Sequence, residues 1–180
     1  MGNDAKGLAV LRRRCASHLR SLDLPIPFNL ETFCRSLAVR RHRPIVLRAI
    51  DGPAGLGGFW VASSQADYIL YQAGTSSLHR LHIILHELSH LICEHKPVPV
   101  TEEEFLRFLL PDLSPQVFRH MLKRAAYSTA EDQEAEMLAT LLSARITHHT
   151  AEAGSSDDPE AMEVSRRLVN SLEHDGSVES

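Results

Sequence analysis

The stretch His82-Ile83-Ile84-Leu85-His86-Glu87-Leu88-Ser89-His90-Leu91-Ile92 decides the reading of this 180-residue chain. Leu78, Leu81, Ile84, Leu85, Leu88, Leu91 and Ile92 recur near the 3.6-residue period, which predicts a helix from about Ser76 to Glu94 with Ser76 or Ser77 as its cap. On that helix His86 and His90 stand four residues apart, so both imidazoles project from one face and can share one ion. Glu87 is rotated about 100° from His86. Its carboxylate can flank a metal without binding it and act as general base toward a water that the metal activates. Charged and polar groups inside so apolar a helix cost stability unless they are paired or metallated.

Around this helix the chain reads as α+β. Leu8, Leu11, Cys15, Leu19 and Leu22 mark a first helix, stopped by Leu24-Pro25-Ile26-Pro27. Asn29 caps a second through about Val39, with Leu30, Phe33, Cys34 and Leu37 inward. Pro44 to Ile50, Phe59 to Val61 and Tyr68 to Tyr71 read as strands of a small antiparallel sheet, with Gln65-Ala66-Asp67 in the hairpin turn between the last two. Asp51-Gly52-Pro53 reads as a turn. Short helices are expected from Thr101 and from Ser114 to about Lys123, and a strong one from Thr129 to about Thr147. A break at Gly154 to Asp158, a helix from Pro159 to Leu172 and a loose end complete the chain. The domain reading is therefore 1–150 as one unit and 151–180 as linker, helix and tail.

A catalytic metal needs a third protein ligand and an open position. The helix from Thr129 offers Glu131, Asp132, Glu134 and Glu136 in its first turns. Asp132 shares a face with Ala135 and Ala139, a small-residue strip able to press close to the histidine helix; Glu131 shares a face with Ala135. The reading takes Asp132 as the third ligand, with Glu131 and Glu134 as alternates. Acidic residues in a first turn also simply favour the helix dipole. His82, one turn before His86, is either a supporting contact or a surface histidine. Tyr127 either donates to a transition-state oxyanion or packs. Two imidazoles with a carboxylate favour zinc.

The bulk numbers narrow the classes. Net charge is -4, so the whole molecule has no strong pull toward nucleic acid or membrane. Arg12, Arg13, Arg14, Arg20, Arg35, Arg40, Arg41, Arg43 and Arg48 crowd the first third, yet no helix-turn-helix pattern accompanies them. Three cysteines give no disulfide framework and no Cys-x-x-Cys knuckle. With no signal core and no stretch of spanning length, a cytoplasmic location is expected.

Tyr68 to Tyr71, His82 to Ile92 and Glu134-Ala135-Glu136-Met137-Leu138-Ala139-Thr140-Leu141-Leu142 together resemble the ImmA/IrrE family of metallopeptidases, in particular actinobacterial members. The likeness runs from about Leu8 to Ile146. It implies a compact, mostly helical, zincin-like domain in which the His-Glu-x-x-His helix packs on an acidic ligand helix with Zn2+ between them. It implies His86 and His90 as ligands and Glu87 as base. It also implies a protein substrate, such as a helix-turn-helix repressor cleaved by a zinc-dependent endopeptidase. The alternative is a non-catalytic, regulatory or toxin-like partner-binding module with a degenerate metal site. The family usually carries Glu where this chain has Asp132, so the shorter side chain requires a closer helix or a substitute from Glu131 or Glu134.

Overall fold

The computed structural model describes residues 2–51, 57–97 and 127–153. The elements are α1 (Gly2–Arg20), α2 (Leu30–Arg41), β1 (Ile45–Ile50), β2 (Gly58–Ala62), β3 (Asp67–Gln72), α3 (Ser77–Ile92) and α4 (Thr129–Ala153). The architecture is α+β. The expected helices near 101–123 and 159–172, the tail, and most of the Asp51-Gly52-Pro53 turn lie outside the described residues. Among the described residues no helix is long and apolar enough to cross a membrane.

α3 is the central element. From Ile83 to Leu91 every residue except His86 is buried, so the helix is covered on nearly all sides. The sheet lies against it on one side and α4 on the other. α4 presents Ala135, Leu138, Ala139, Leu142 and Ile146 to the core, a stripe at helical spacing. Cys15 of α1 and Phe33 and Leu37 of α2 join the same core as Ile84, Leu85, Leu88 and Leu91. Leu8, read as part of the first helix's apolar stripe, is 56% exposed.

The sheet departs from the expected antiparallel form. Its strand order is β1-β3-β2, with β2 antiparallel to β3 but β1 parallel to it. The β2–β3 hairpin is local and its turn residues announce it. The partner of β1 is set at a distance, by the end of α2: Asp67 N–H donates to Pro44 O at 2.8 Å, so β1 and β3 start at the same end. The hairpin turn is Ser63 to Ala66, closed by Ser63 N–H on Ala66 O (3.0 Å), with Ser63 Oγ accepting from the N–H groups of Gln65 and Ala66.

Asp67 is therefore not a turn residue. It opens β3 and is 1% exposed. Its carboxylate accepts from Trp60 Nε1 at 3.1 Å and pairs with Arg41 at 3.3 Å and Arg43 at 3.1 Å. Arg41 also donates to Leu91 O at 3.3 Å. One buried carboxylate thus ties the ends of α2 and α3 to the hairpin, its charge matched by two guanidinium groups.

Strand β2 approaches α3 so closely that Gly58 has no room for a side chain. A Cβ there falls 2.6 Å from Ile83 Cγ2 and 2.9 Å from both Glu87 Cγ and Leu70 O. Gly58→Ala is expected to destabilise the fold by about 1–3 kcal/mol through overpacking, read as a fall of several degrees in thermal melting. An unchanged melting temperature would mean that β2 lies farther from α3.

Candidate metal centre

The Ser76 cap starts α3, its Oγ accepting from His79 N–H at 3.3 Å, and sets the phase of the histidines. His90 is fully buried and His86 is partly open. Their Nε2 atoms face each other at 3.1 Å. Asp132 comes from the first turn of α4, with Oδ1 3.5 Å from His90 Nε2. His86, His90 and Asp132 form a group whose ligand atoms all lie within 4.8 Å of one another. Three atoms each about 2.0–2.1 Å from one tetrahedral ion stand about 3.3 Å apart, so this spacing fits a metal.

The remaining nitrogens of both imidazoles also have partners. His86 Nδ1 lies 3.0 Å from Glu136 Oε2, and Glu136 Oε1 lies 3.4 Å from His82 Nε2. Hydrogen bonds from His82 and His86 hold the Glu136 carboxyl well below the ordinary carboxylate range. His90 Nδ1 lies 2.9 Å from His95 Nδ1. Burial, with His86 and His95 nearby, pushes the His90 imidazole down to about 3, so it is neutral and able to bind a cation. Burial resists protonation of His86, but the Glu136 hydrogen bond and the charges of Glu87, Glu136 and Asp132 outweigh it and raise its pKa. Two inward lone pairs at 3.1 Å repel unless a cation or proton lies between them.

The two alternate ligands point elsewhere. Glu131 closes a capping box with Ser128: Ser128 N–H donates to Glu131 Oε2 at 2.9 Å and Glu131 N–H to Ser128 Oγ at 3.3 Å. Glu134 is 4% exposed and faces α1, where Arg14 donates to both its oxygens and His95 Nε2 lies 3.2 Å from Oε2. A second group with metal-ligand chemistry, His18, Cys93 and Glu134, exists. Arg14 and His95 already occupy the Glu134 oxygens, leaving that group without an open carboxylate.

Glu87 is 5% exposed. Burial raises its pKa to about 7, against the opposing pull of His86 and of a hydrogen bond from Trp60 N–H. Its Oε2 has no partner among the described residues. Tyr127 stacks on His90 with ring centroids 3.5 Å apart and planes 17° apart. Its buried hydroxyl likewise has no partner among the described residues, and burial raises its pKa. Of the two readings of Tyr127, the stack on His90 bears out packing. His82 meets Glu136 and is not part of the His86, His90 and Asp132 group.

Beside His86 and Asp132 opens a cleft of about 1140 Å³ between α1 and α4, walled by Leu8, Leu11, Arg14 and Met137. Sequence reasoning gave no role to His95 or Arg14 and did not connect Glu136 to His82 and His86. Only the capping of Glu131 had a readable signal, the Ser128-x-x-Glu131 spacing. Compared with protein-family models, curated proteins and solved structures, the chain matches none.

Metal content by elemental analysis checks the ligand set. Asp132→Ala is expected to weaken binding by more than the roughly 10–100-fold that loss of an outer partner costs. Glu131→Ala should leave metal content unchanged and lower thermal stability slightly through the lost capping box. Loss of metal in Glu131→Ala with retention in Asp132→Ala would reverse the assignment.

Proposed function

We propose that this chain is a zinc-dependent endopeptidase of zincin-like architecture. The observation that carries the reading is Glu87 Oε2, a buried carboxylate oxygen with no partner among the described residues, next to a three-residue group with metal-ligand spacing. A purely structural metal site has no use for such an oxygen and closes its coordination with a fourth protein ligand. His86, His90 and Asp132 would hold the ion. When bound, zinc supplies a Lewis acid that activates water and polarises the scissile carbonyl.

Glu87 is the general base and then the acid. Its Oε1/Oε2 pair is steadied on one side by the Trp60 N–H, leaving an oxygen to accept the proton of the attacking water and return it to the departing amine. The Tyr127 hydroxyl donates to the oxygen on which negative charge develops; its ring is fixed by the stack on His90, so the donor is placed before reaction. Leu8, Leu11 and Met137 give the neighbouring cleft an apolar wall suited to substrate side chains. The resemblance to the ImmA/IrrE metallopeptidases supports a regulatory protein, such as a helix-turn-helix repressor, as substrate.

Cleavage of a fluorogenic peptide library by the zinc-loaded protein tests the reading. Glu87→Gln is expected to keep one zinc per chain and lose about 10²–10⁴-fold in rate. Tyr127→Phe should keep zinc and lose about 10²–10³-fold in kcat. Full activity in Glu87→Gln would sink the mechanism. A wild-type chain that holds zinc and cleaves neither peptides nor candidate repressors would be the partner-binding module instead.

A further inference from the structure

The second nitrogen of His90 leads into the protein rather than to solvent. His90 Nδ1 meets His95 Nδ1 at 2.9 Å, His95 Nε2 meets Glu134 Oε2 at 3.2 Å, and both Glu134 oxygens accept from the Arg14 guanidinium on α1. The chain of contacts is enclosed: the side chains of His90, His95 and Glu134 are 0%, 7% and 6% exposed. It spans α3, α4 and α1, and Cys15 Sγ on Glu134 O (3.6 Å) adds a further polar contact between α1 and α4 beside it.

The turn after α3 builds this arrangement. Glu94 takes the left-handed conformation at φ 59°. Glu94 N–H donates to Leu91 O at 3.2 Å and His95 N–H to His90 O at 3.0 Å, the two bonds of a Schellman motif. That motif places the residue after the left-handed one against the residue five positions earlier. The contact is ordinarily apolar; in this chain it is imidazole on imidazole.

Donor and acceptor rules then fix the protons. The Glu134 carboxylate, held by Arg14, accepts only, so His95 must donate from Nε2. A neutral His95 accepts at Nδ1. His90 must therefore donate from Nδ1, which leaves Nε2 bare and aimed at His86 Nε2, 3.1 Å away. We propose that His95, Glu134 and Arg14 are positioning residues that lock His90 into its Nδ1–H tautomer and orient its Nε2 lone pair toward the metal. The inference rests on the metal-centre reading, and it concerns affinity for the ion whatever reaction the ion supports. Partners of this kind, on the far nitrogen of a ligating imidazole, commonly set metal affinity by about 10–100-fold.

The test uses the full chain at pH 8, with zinc affinity measured by competition against a chromogenic chelator and histidine protonation read from 15N shifts of the metal-free protein. Three substitutions separate the roles of His95. Asn places its Oδ1 where Nδ1 stood and still accepts from His90; Gln places its donor nearer Glu134; Phe fills the space and does neither. Zinc affinity is expected to fall about 10–100-fold in His95→Phe and in His95→Gln, and to stay within about threefold of wild type in His95→Asn. In metal-free wild type, His90 should carry its proton on Nδ1. Equal losses in all three variants, undiminished affinity in His95→Phe, or a wild-type His90 protonated on Nε2 would each overturn the proposal. Should His95→Phe fail to fold, the contrast between Asn and Gln decides alone. A wild type that takes up no zinc would refute the metal centre, and the 15N pattern would still accept or reject the relay.

Discussion

The distance between α3 and α4 governs what this structure can do. Ala135 and Ala139 are fully buried on the face of α4 that meets α3, with Leu138 and Leu142 filling the space beside them. Small side chains at the seam let two helices approach more closely than Leu on Leu would permit. The approach matters because Asp132 is one methylene shorter than Glu. Its Oδ1 nevertheless comes within 3.5 Å of His90 Nε2. A departure from the resembled family's pattern at one position is thus met by packing about one and two turns farther along the same helix face. The longer carboxylates nearby, Glu131 and Glu134, are spent on the helix cap and on α1.

Burying so many polar groups is costly unless each finds a partner. Most do. Ser89 returns its hydroxyl to Leu85 O at 2.7 Å, Asp67 is held by two arginines and an indole, and Glu134 by an arginine and a histidine. Four buried side-chain atoms lack a partner among the described residues, and two of them, Glu87 Oε2 and Tyr127 OH, flank the histidines. In a fold that satisfies its interior this thoroughly, unpaired groups gathered at one place point to a ligand rather than to loose packing.

The helical part of the fold was legible because its signals are local. Periodicity gave α3, and the Asn29 and Ser76 caps gave the starts of α2 and α3. The face shared by Asp132, Ala135 and Ala139 was likewise readable from spacing alone. The parallel pairing of β1 was not, since a strand's own residues do not name its partner across 22 positions of sequence. Asp67 looked like a turn former; its burial between Trp60, Arg41 and Arg43 depends on where α2 ends. His95 was invisible for a further reason. It lies five residues from His90, a separation that on a continuing helix points the two rings apart, and only a left-handed residue between them brings the rings together.

The same device closes both helices that flank the sheet. His42 at φ 52° ends α2 and Glu94 at φ 59° ends α3, each without the glycine that usually occupies such a position. After His42, Arg43 N–H returns to Ala38 O at 3.0 Å and its guanidinium reaches Asp67. After Glu94, His95 returns to His90. A left-handed non-glycine residue is strained by about 1–2 kcal/mol, and in each case the residue it throws back makes a buried polar contact. The strain is therefore held in place by the anchors: the Asp67 cluster organises the sheet end of the molecule and the Arg14–Glu134–His95 chain the metal end. Both depend on α3, whose C-terminal carbonyls receive Arg41 at one anchor and His95 N–H at the other. The helix that carries His86, Glu87 and His90 is consequently fixed in rotation at its end as well as along its length, which is the condition for its two imidazoles and the Asp132 carboxylate of α4 to stand within metal-ligand spacing with little freedom left to lose.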